Sequence, residues 1–351
     1  MTLYGFHNLK DLAAARITGT NVEAVNDAIN LAVAEHNRIV EAMLSVFVDE
    51  TTLYTERYAQ ISDANLQPLD DDGRALPIKP AGYYSVAYPI QSGSSAWGAN
   101  YVTRAKMTVR DAERATAMML TADSNWMRTH IFAALFSNQT WTYADPLYGD
   151  LTIQPLALAS DGVIYGVVGG GVAATDTHHI AQAGDIATTN PFPTIRSELL
   201  EHPQNTGDVV VFIPTASKAQ ATALASFNPV ADPNIQPGSG SDRLVGSLGI
   251  STPGTLIGYE DSGVWIVEWP QLPTDYLIGT TTGGDRALAM REDPEPELQG
   301  FKRVAERDDH PFYESQWLRR AGFGARNRVG AVVMRTGNGT YAEPTGYIAP
   351  I

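Results

Sequence analysis

The sequence predicts an α+β protein, and three observations lead to that prediction. Two stretches carry apolar residues at helical spacing, a Tyr-rich segment of strand character lies between them, and the rest alternates β-rich runs with turns. The chain has 351 residues, of which 44% are apolar and 18% are charged. A disordered chain is thereby excluded, and a large core can form without a disulfide or metal staple.

Charge and cysteine content narrow the class of protein further. The sequence holds 24 Lys and Arg against 39 Asp and Glu, a net charge of −15, and no cysteine. A strongly acidic chain is a poor candidate for wrapping nucleic acid, and a chain without thiols has neither a disulfide framework nor a thiol nucleophile. We find no signal-peptide layout and no apolar run of about 18 residues, so we expect a soluble protein that is not exported.

The first periodic stretch predicts a helix that follows Thr20 and ends near Asp49. Thr20 and Glu23 have the spacing of a capping box, which starts helices. Nothing before this helix can form a core, so it is expected either to pack within its own domain or to lie on another surface. The apolar positions of its predicted buried face are Val22, Val25, Ile29, Val33, His36, Val40, Met43 and Phe47.

The segment after this helix predicts a two-stranded ribbon with a polar tip. Residues 53–63 and 83–90 have strand character, and the Pro/Gly/Asp-rich residues 67–82 between them cannot be regular. Residues 91–100, QSGSSAWGAN, are expected to be flexible. A two-stranded ribbon is marginal alone in water, so we expect its aromatic residues to lie on a surface: Tyr54, Tyr58, Tyr83, Tyr84, Tyr88, Trp97 and Tyr101.

The second periodic stretch predicts a long unbroken helix from Thr108 to about Asn138. Thr108 and Asp111 form a capping box, and no Pro or Gly interrupts the stretch. At the usual rise, such a helix is roughly 45 Å long, which suits a spine against which a sheet lies. Its apolar face is predicted to contain Ala112, Ala115, Met119, Leu120, Trp126, Met127, Ile131, Ala134 and Leu135.

The remainder of the chain predicts strands, with one compact α/β portion. Pro193 suits the first turn of a helix, and residues 209–213 (VVVFI) suit a strand covered on both faces, followed by a turn and a helix. Residues 228–242 are expected to form a long exposed loop. Further strands are predicted in DLTIQPLAL, GVIYGVV, TLIGYE, VWIVEW, YLIGTTT, RALAM and RVGAVVM.

Enzyme signatures are missing from the sequence. It has no phosphate-binding loop, HExxH motif, nucleophile elbow or complete GxGxxG motif, and Gly166 with Gly169 to Gly171 has the wrong spacing for dinucleotide binding. We therefore expect a non-enzyme with no catalytic residue, no cofactor-binding residue and no metal ligand.

Two groups of acidic or histidine residues have the composition of a metal site. Asp176, His178 and His179 could bind a metal, but adjacent histidines in a strand point to opposite faces, so a polar strand end is the preferred interpretation. Asp70 to Asp72 resemble the start of a calcium loop without its closing Glu, which favours a solvated turn.

Other charged residues cluster late in the chain. Glu292, Glu295 and Glu297 alternate with prolines, which favours an extended, solvated segment. Basic residues gather around Arg303 to Arg307 and at Arg319, Arg320, Arg326 and Arg328. In an acidic chain, ion pairs between subunits are the expected use of these cations.

The order of these elements resembles the major capsid protein of tailed bacteriophages, the Hong Kong ninety-seven coat fold that encapsulin shells share. The resemblance rests on that order and on GDVVVFIPTASKAQATAL, GTLIGYEDSGVWIVEWPQLPTDYLIGTTTGGDRALAMRED and WLRRAGFGARNRVGAVVM. It implies an N-terminal arm with its helix at 1–50, an extended β-ribbon loop at 51–107 and a peripheral domain at 108–191 whose spine helix is 108–138. It also implies an axial domain at 192–285 and, at 286–351, a return through the peripheral domain with the C-terminal tail.

The resemblance implies a structural protein that self-assembles into an icosahedral capsid around double-stranded DNA. Its partners would be copies of itself in pentamers and hexamers, with separate scaffold, portal and decoration proteins as further candidates. The ribbon would lie over the spine-helix region of a neighbour, and DNA would be enclosed without sequence-specific binding. The expected location is the virion, after assembly in the host cytoplasm and without a membrane.

The resemblance also leaves questions open. Only about 50 residues precede the ribbon, so a scaffold is expected to be a separate protein or absent. Family members that cross-link use a loop lysine and a neighbour's Asn; here these would be Lys79 with Asn327 or Asn338, although a solvated Lys79 is the preferred interpretation. The alternatives are an encapsulin-type compartment and a soluble acidic hydrolase with carboxylates from residues 285–310.

Overall fold

The computed structural model describes most of the chain, in two compact units. The described residues are 22–59, 69–75, 83–169, 172–173, 176–230, 252–309 and 312–351. Thr20, Lys79, most of the ribbon tip and most of the predicted loop 228–242 lie outside them. The first unit draws on residues 1–42, 90–129 and 292–322, and the second on residues 43–89, 130–291 and 323–351.

The described helices include two long ones. None of the described helices has the length and apolar character that a membrane crossing requires. Their bounds are α1 Val22–Leu44, α2 Tyr101–Lys106, α3 Val109–Phe136, α4 Phe192–Leu200 and α5 Thr215–Thr222, with a 3₁₀ helix at Pro296–Leu298.

The described strands fall mainly into two larger sheets. In chain order they are β1 Val48–Thr51, β2 Thr55–Ala59, β3 Tyr83–Ala87, β4 Gln91–Asn100, β5 Trp141–Asp145, β6 Gly149–Ile153, β7 Tyr165–Gly166, β8 Val172–Ala173, β9 His179–Ala181, β10 Thr206–Ile213, β11 Phe227–Pro229, β12 Thr255–Glu260, β13 Val264–Glu268, β14 Tyr276–Gly283, β15 Leu288–Glu292, β16 Lys302–Asp309, β17 Phe312–Ala325 and β18 Ala331–Arg335.

The end of α1 differs from the prediction. The helix ends at Leu44. Val48 and Asp49, predicted as its last residues, instead belong to β1, which pairs in parallel with β15 from Val48 opposite Leu288 to Thr51 opposite Arg291. Helical periodicity cannot show this, because the partner strand lies more than 200 residues away in sequence. The predicted buried face is nevertheless present: Val33 and Val40 are buried, and Ile29, His36 and Met43 are half-buried.

The long helix α3 confirms its prediction. It spans 28 residues, and its start carries the capping box, in which the Asp111 carboxylate accepts from the Thr108 backbone N–H at 3.0 Å and the Thr108 hydroxyl accepts from the Asp111 backbone N–H at 3.3 Å. These bonds satisfy backbone donors that a helix start otherwise leaves open. Ala112, Met119, Met127, Ile131 and Leu135 are buried, as the periodicity indicated.

The first unit contains a three-stranded antiparallel arrangement in which β17 lies between β4 and β16. Strand β4 is QSGSSAWGAN, and its prediction as a flexible segment is wrong: all ten residues pair with β17, from Gln91 opposite Ala321 to Asn100 opposite Phe312. Small polar residues have weak strand propensity, so the long partner strand decides the conformation here. The core of this unit consists of Val33, Met119, Phe301 and Trp317.

The second unit is built on a seven-stranded sheet with the order β11-β12-β13-β10-β14-β18-β9. Its centre is β10, which pairs in parallel with β13 and antiparallel with β14. Residues 209–213 of β10 are at most 1% exposed, which confirms a strand covered on both faces. Helix α4 begins with Pro193 in its first turn, as predicted, and its Ile195 and Leu199 join the main apolar core.

A turn in the second unit gives a testable prediction. Gly284 follows β14 at a φ of +77°, and a Cβ there would lie 2.1 Å from the backbone oxygen of Gln204. We expect Gly284→Ala to lower the free energy of unfolding by about 3 kcal/mol. The strain of alanine in a left-handed backbone conformation and the clash with the Gln204 oxygen both destabilise the folded state. The measurement is urea denaturation of the unassembled chain.

The control for this prediction is Gly337→Ala. Gly337 has a φ of +74°, but a Cβ there has no atom within 4 Å, so only the backbone strain of about 1 kcal/mol applies. Equal losses for the two variants would contradict the clash argument.

Candidate assembly surface

The base of the predicted ribbon is present in the structure. Strands β2 and β3 pair antiparallel, with Thr55 opposite Ala87 and Ala59 opposite Tyr83. Tyr58, Tyr84 and Tyr88 are buried within the same chain, in a cluster with Ala157, Tyr165, Ala289 and Val329. The aromatic residues of the ribbon base were expected to lie on a surface, and these three rings pack within the second unit of the same chain.

An exposed apolar patch lies beside that base, and we define it as Leu53, Tyr54, Leu147 and Tyr148. The Tyr54 and Tyr148 rings stack with centroids 3.8 Å apart and planes within 5°. Leu53 precedes this stack in sequence and is 53% exposed, and Leu147, in the turn between β5 and β6, is 79% exposed. Stacked tyrosines flanked by exposed leucines are typical of a surface that another protein covers.

The basic residues predicted for contacts between subunits are used inside the chain. Arg319 pairs with Asp123, Arg320 with Asp293, Arg326 with Asp49 and Glu56, and Arg328 with Asp161. Arg303 donates to the side-chain oxygen of Asn26. The sequence-based assignment of these cations to subunit interfaces is wrong for these pairs, because their acidic partners come from distant segments of the same chain.

A buried ion cluster joins three elements of the first unit. Arg319 of β17 donates to both oxygens of Asp123 on α3, at 2.9 and 2.7 Å, and His36 of α1 lies 2.8 Å from the same carboxylate. Burial alone would raise the pKa of Asp123, but the hydrogen bonds from Arg319 and His36 outweigh it and hold the pKa below its usual value. The Asp123 carboxylate thus remains charged and connects α1 to β17.

A second buried cluster brings Asp176, His178 and His202 together. His178 Nε2 lies 3.2 Å from Asp176 Oδ2 and 3.2 Å from His202 Nε2, and His202 Nε2 lies 2.9 Å from the same carboxylate oxygen. Burial opposes ionisation of Asp176, yet its hydrogen bonds with the two histidines hold its pKa well below the usual value. Burial likewise opposes protonation of His202, but the hydrogen bond with Asp176 raises its pKa.

His179, the third residue of that sequence cluster, lies apart. It starts β9, and its Nε2 contacts the backbone oxygen of Leu135 at 3.0 Å, while burial lowers its pKa to about 3. The opposite orientation of adjacent histidines was expected. His202, at the end of α4, was not singled out in the sequence because 24 residues separate it from His178.

The remaining predicted positions fall in surface or structural settings. Asp70 Oδ1 accepts from the backbone N–H groups of Asp72 and Arg74, so the acidic run forms a turn as expected. Glu292 ends β15 and accepts from the Gly300 backbone N–H at 3.3 Å. Glu295 precedes the 3₁₀ helix and Glu297 lies in it, where an extended segment was predicted; the Pro296–Leu298 turn causes the difference.

The asparagines considered for cross-linking differ in accessibility. Asn327 is fully buried, and its side-chain amide donates to Asn205 and to the backbone oxygen of Asp285. A neighbour's lysine therefore has no access to it in the folded subunit. Asn338 lies in an exposed turn, where its side chain accepts from the Thr340 backbone N–H.

Comparison with known protein families and curated proteins gives no match. Solved structures do match. A chain from Mycobacterium phage Patience is similar at a TM-score of 0.67 and 19% identity, over 100% of this chain and 98% of that one. A chain from the capsid of cyanophage P-SCSP1u is similar at a TM-score of 0.50 and 9% identity, over 84% of this chain and 87% of that one.

These similarities cover most of both compared chains, so they concern the fold as a whole rather than one motif. A virus-like particle from Pyrococcus furiosus also matches, at a TM-score of 0.41 and 10% identity over 88% of this chain and 98% of that one. The chain has the α+β capsid fold of tailed bacteriophages.

Proposed function

We propose that this protein is the structural subunit of an icosahedral shell that encloses double-stranded DNA. The observation that carries the proposal is the fold, with its long helix α3, its ribbon base β2–β3 and its seven-stranded unit in the expected chain order. The net charge of −15 suits a container whose wall must not adsorb a polyanionic cargo. The protein acts as a virion component rather than as an enzyme.

Within this proposal each segment keeps its predicted role. Residues 1–50 form the arm with its helix, 51–107 the extended loop, 108–191 the peripheral domain, 192–285 the axial domain, and 286–351 the return and tail. The loop lies over a neighbour's spine-helix region, and axial domains meet in pentamers and hexamers. Scaffold, portal and decoration proteins are further partners, and assembly takes place in the host cytoplasm.

The exposed apolar patch is the part of the described surface best suited to contact a second copy. Leu53 and Leu147 are more than half exposed in the isolated chain, and covering each stabilises an interface by about 1.5–3 kcal/mol. Two such side chains per subunit are repeated throughout a shell. Small losses per subunit therefore raise the concentration needed for assembly steeply.

We expect Leu53→Ser combined with Leu147→Ser to prevent assembly while the subunit stays folded. At about 3–6 kcal/mol per copy, the concentration required for assembly rises by at least roughly 100-fold. The measurement is sedimentation velocity with negative-stain imaging of the full chain, and circular dichroism reports on folding. Val168→Ser removes an equally exposed side chain, at 58%, outside the patch and should leave particles intact.

The outcomes of this experiment distinguish the proposed shell function from the proposed role of the apolar patch in it. Wild-type chain that stays a small oligomer under all assembly conditions, including co-expression with neighbouring genes, would argue against a shell protein. If both the wild-type chain and the double variant form particles at normal yield, the shell function is supported, but the patch is not a contact of the shell.

A compartment for a cargo enzyme is the alternative shell function. Particles purified from infected or producing cells distinguish the two: a phage head protects double-stranded DNA from nuclease, and a cargo compartment holds protein instead. An acidic hydrolase is not favoured, because Glu292 is bound to the Gly300 backbone while Glu295 and Glu297 border a surface turn.

A further inference from the structure

The backbone fixes the tautomers of both histidines in the cluster of Asp176, His178 and His202. His178 Nδ1 lies 2.8 Å from the Ala331 backbone oxygen, and His202 Nδ1 lies 2.9 Å from that of Gly166. A carbonyl oxygen only accepts, so each Nδ1 must carry the proton. In the neutral imidazoles, both Nε2 atoms then present lone pairs to the cluster.

Three electron-pair donors consequently point at one another. The two Nε2 atoms and Asp176 Oδ2 form a triangle with sides of 3.2, 3.2 and 2.9 Å. Both imidazoles are fully buried and Asp176 is 5% exposed, so water does not screen the repulsion. A buried arrangement of this kind needs a positive charge among its three atoms, which a proton on one Nε2 or a bound cation supplies.

The triangle has the dimensions of one face of a tetrahedral zinc site. With Zn–N and Zn–O bonds of 2.0–2.1 Å, the ligand atoms of a tetrahedron are about 3.3 Å apart. The Nδ1–H groups that donate to backbone carbonyls are also the outer contacts that metal-binding histidines usually have, since they fix the tautomer and the ring orientation.

A further carboxylate lies on the solvent side of the triangle. Glu201 Oε1 lies 3.5 Å from His202 Nε2, and its side chain is 39% exposed. Asp176, Glu198 and Glu201 also bring carboxylate oxygens within 4.8 Å of one another. These carboxylates add negative charge beside the triangle, which favours a bound cation.

We propose that Asp176, His178 and His202 bind a structural Zn²⁺ ion. The site joins four separate segments of the second unit: the stretch before β9, the end of α4, and, through the two carbonyls, β7 and β18. It replaces the sequence-based expectation of no metal ligand, and it is independent of the shell function, because it lies inside one subunit.

The test measures bound metal directly on the full chain. Protein purified with zinc in the medium and dialysed against metal-free buffer is expected to hold about one zinc ion per chain by elemental analysis. After removal of zinc with a chelator, Co²⁺ is expected to give the intense visible absorption of a tetrahedral site. The thermal midpoint should fall on chelation and return on addition of Zn²⁺.

Variants locate the site. His178→Gln and His202→Gln should each lower the zinc content severalfold and abolish the chelator-dependent shift of the thermal midpoint. His179→Gln is the matched control, because His179 is equally buried and adjacent in sequence but outside the triangle, and it should keep the metal.

Two results would overturn the proposal. One is wild-type protein that binds neither Zn²⁺ nor Co²⁺ after exposure to both, which would show that a shared proton on His202 satisfies the cluster. The other is zinc content that is unchanged in His178→Gln and His202→Gln, which would place the metal elsewhere. Neither depends on assembly, so failure here is distinguishable from failure of the shell function.

Discussion

Asp123→Ala is expected to lower the free energy of unfolding by about 3–5 kcal/mol, one of the two largest effects among the substitutions considered. Its carboxylate is almost fully buried and receives both donors of Arg319, at 2.9 and 2.7 Å, as well as His36 at 2.8 Å. Removing it leaves the Arg319 guanidinium buried without its counter-charge. Urea denaturation of the unassembled chain at pH 7 measures the loss.

Two controls identify burial of the charge as the cause. Glu35→Gln breaks the exposed pair with Arg38, and pairs of that kind contribute at most about 1 kcal/mol. The double variant Asp123→Leu with Arg319→Met removes both charges and should be less destabilised than Asp123→Ala. A double variant that is as unstable as the sum of its single substitutions would contradict the ion-pair explanation.

The same cluster predicts a pH dependence. The folded-state pKa of Asp123 lies below the usual value of an aspartate, about 3.8. Its contribution to stability is therefore present above about pH 4 and is lost as the pH falls through the folded-state pKa. Wild-type stability should therefore fall more steeply below pH 4 than that of the double variant, which lacks this carboxylate. If the stability of the two proteins fell equally steeply with pH below pH 4, Asp123 would not be the source of this pH dependence.

Arg328→Met is expected to lower the free energy of unfolding by about 3 kcal/mol, as much as Gly284→Ala. The Arg328 side chain is 1% exposed and donates to Asp161 at 2.9 Å and to the backbone oxygen of Pro155 at 2.7 Å. Methionine fills a similar volume but satisfies neither acceptor, and an unpartnered buried acceptor or charge is costly. Thermal and urea denaturation of the unassembled chain measure this loss.

The matched control for Arg328 is Lys218→Met in the same unit. Lys218 pairs with Glu268 at 2.6 Å, but its side chain is 46% exposed. Its loss should change the stability by less than about 1 kcal/mol. If the two substitutions had equal effects, burial of Arg328 would not be the source of its contribution.

Local patterns in the sequence predicted the elements that are specified by the spacing and type of neighbouring residues. Helix α3 was predicted within two residues at either end, because its apolar spacing and the Thr108–Asp111 capping box act over a few neighbouring residues. The buried strand at 209–213 was predicted from a continuous apolar run for the same reason. The element order that these signals define was enough to indicate the capsid fold.

The strands that the sequence did not predict depend on partner strands far away in the chain. Strand β4 exists because β17 supplies ten paired residues, and β1 exists because β15 pairs with it from a distant part of the sequence. Neither stretch has a composition that favours a strand, so backbone pairing overrides propensity.

By itself, the sequence determined the α+β class, the long helix, the base of the ribbon and the absence of enzyme motifs, since each depends on residues close together in the chain. Only the tertiary structure decided how the charges are used. It paired Arg319, Arg326 and Arg328 within the subunit, and it brought His202 to Asp176 and His178. The physical reason is that charges and metal ligands act over a few ångströms of space, a distance that spacing along the chain does not encode.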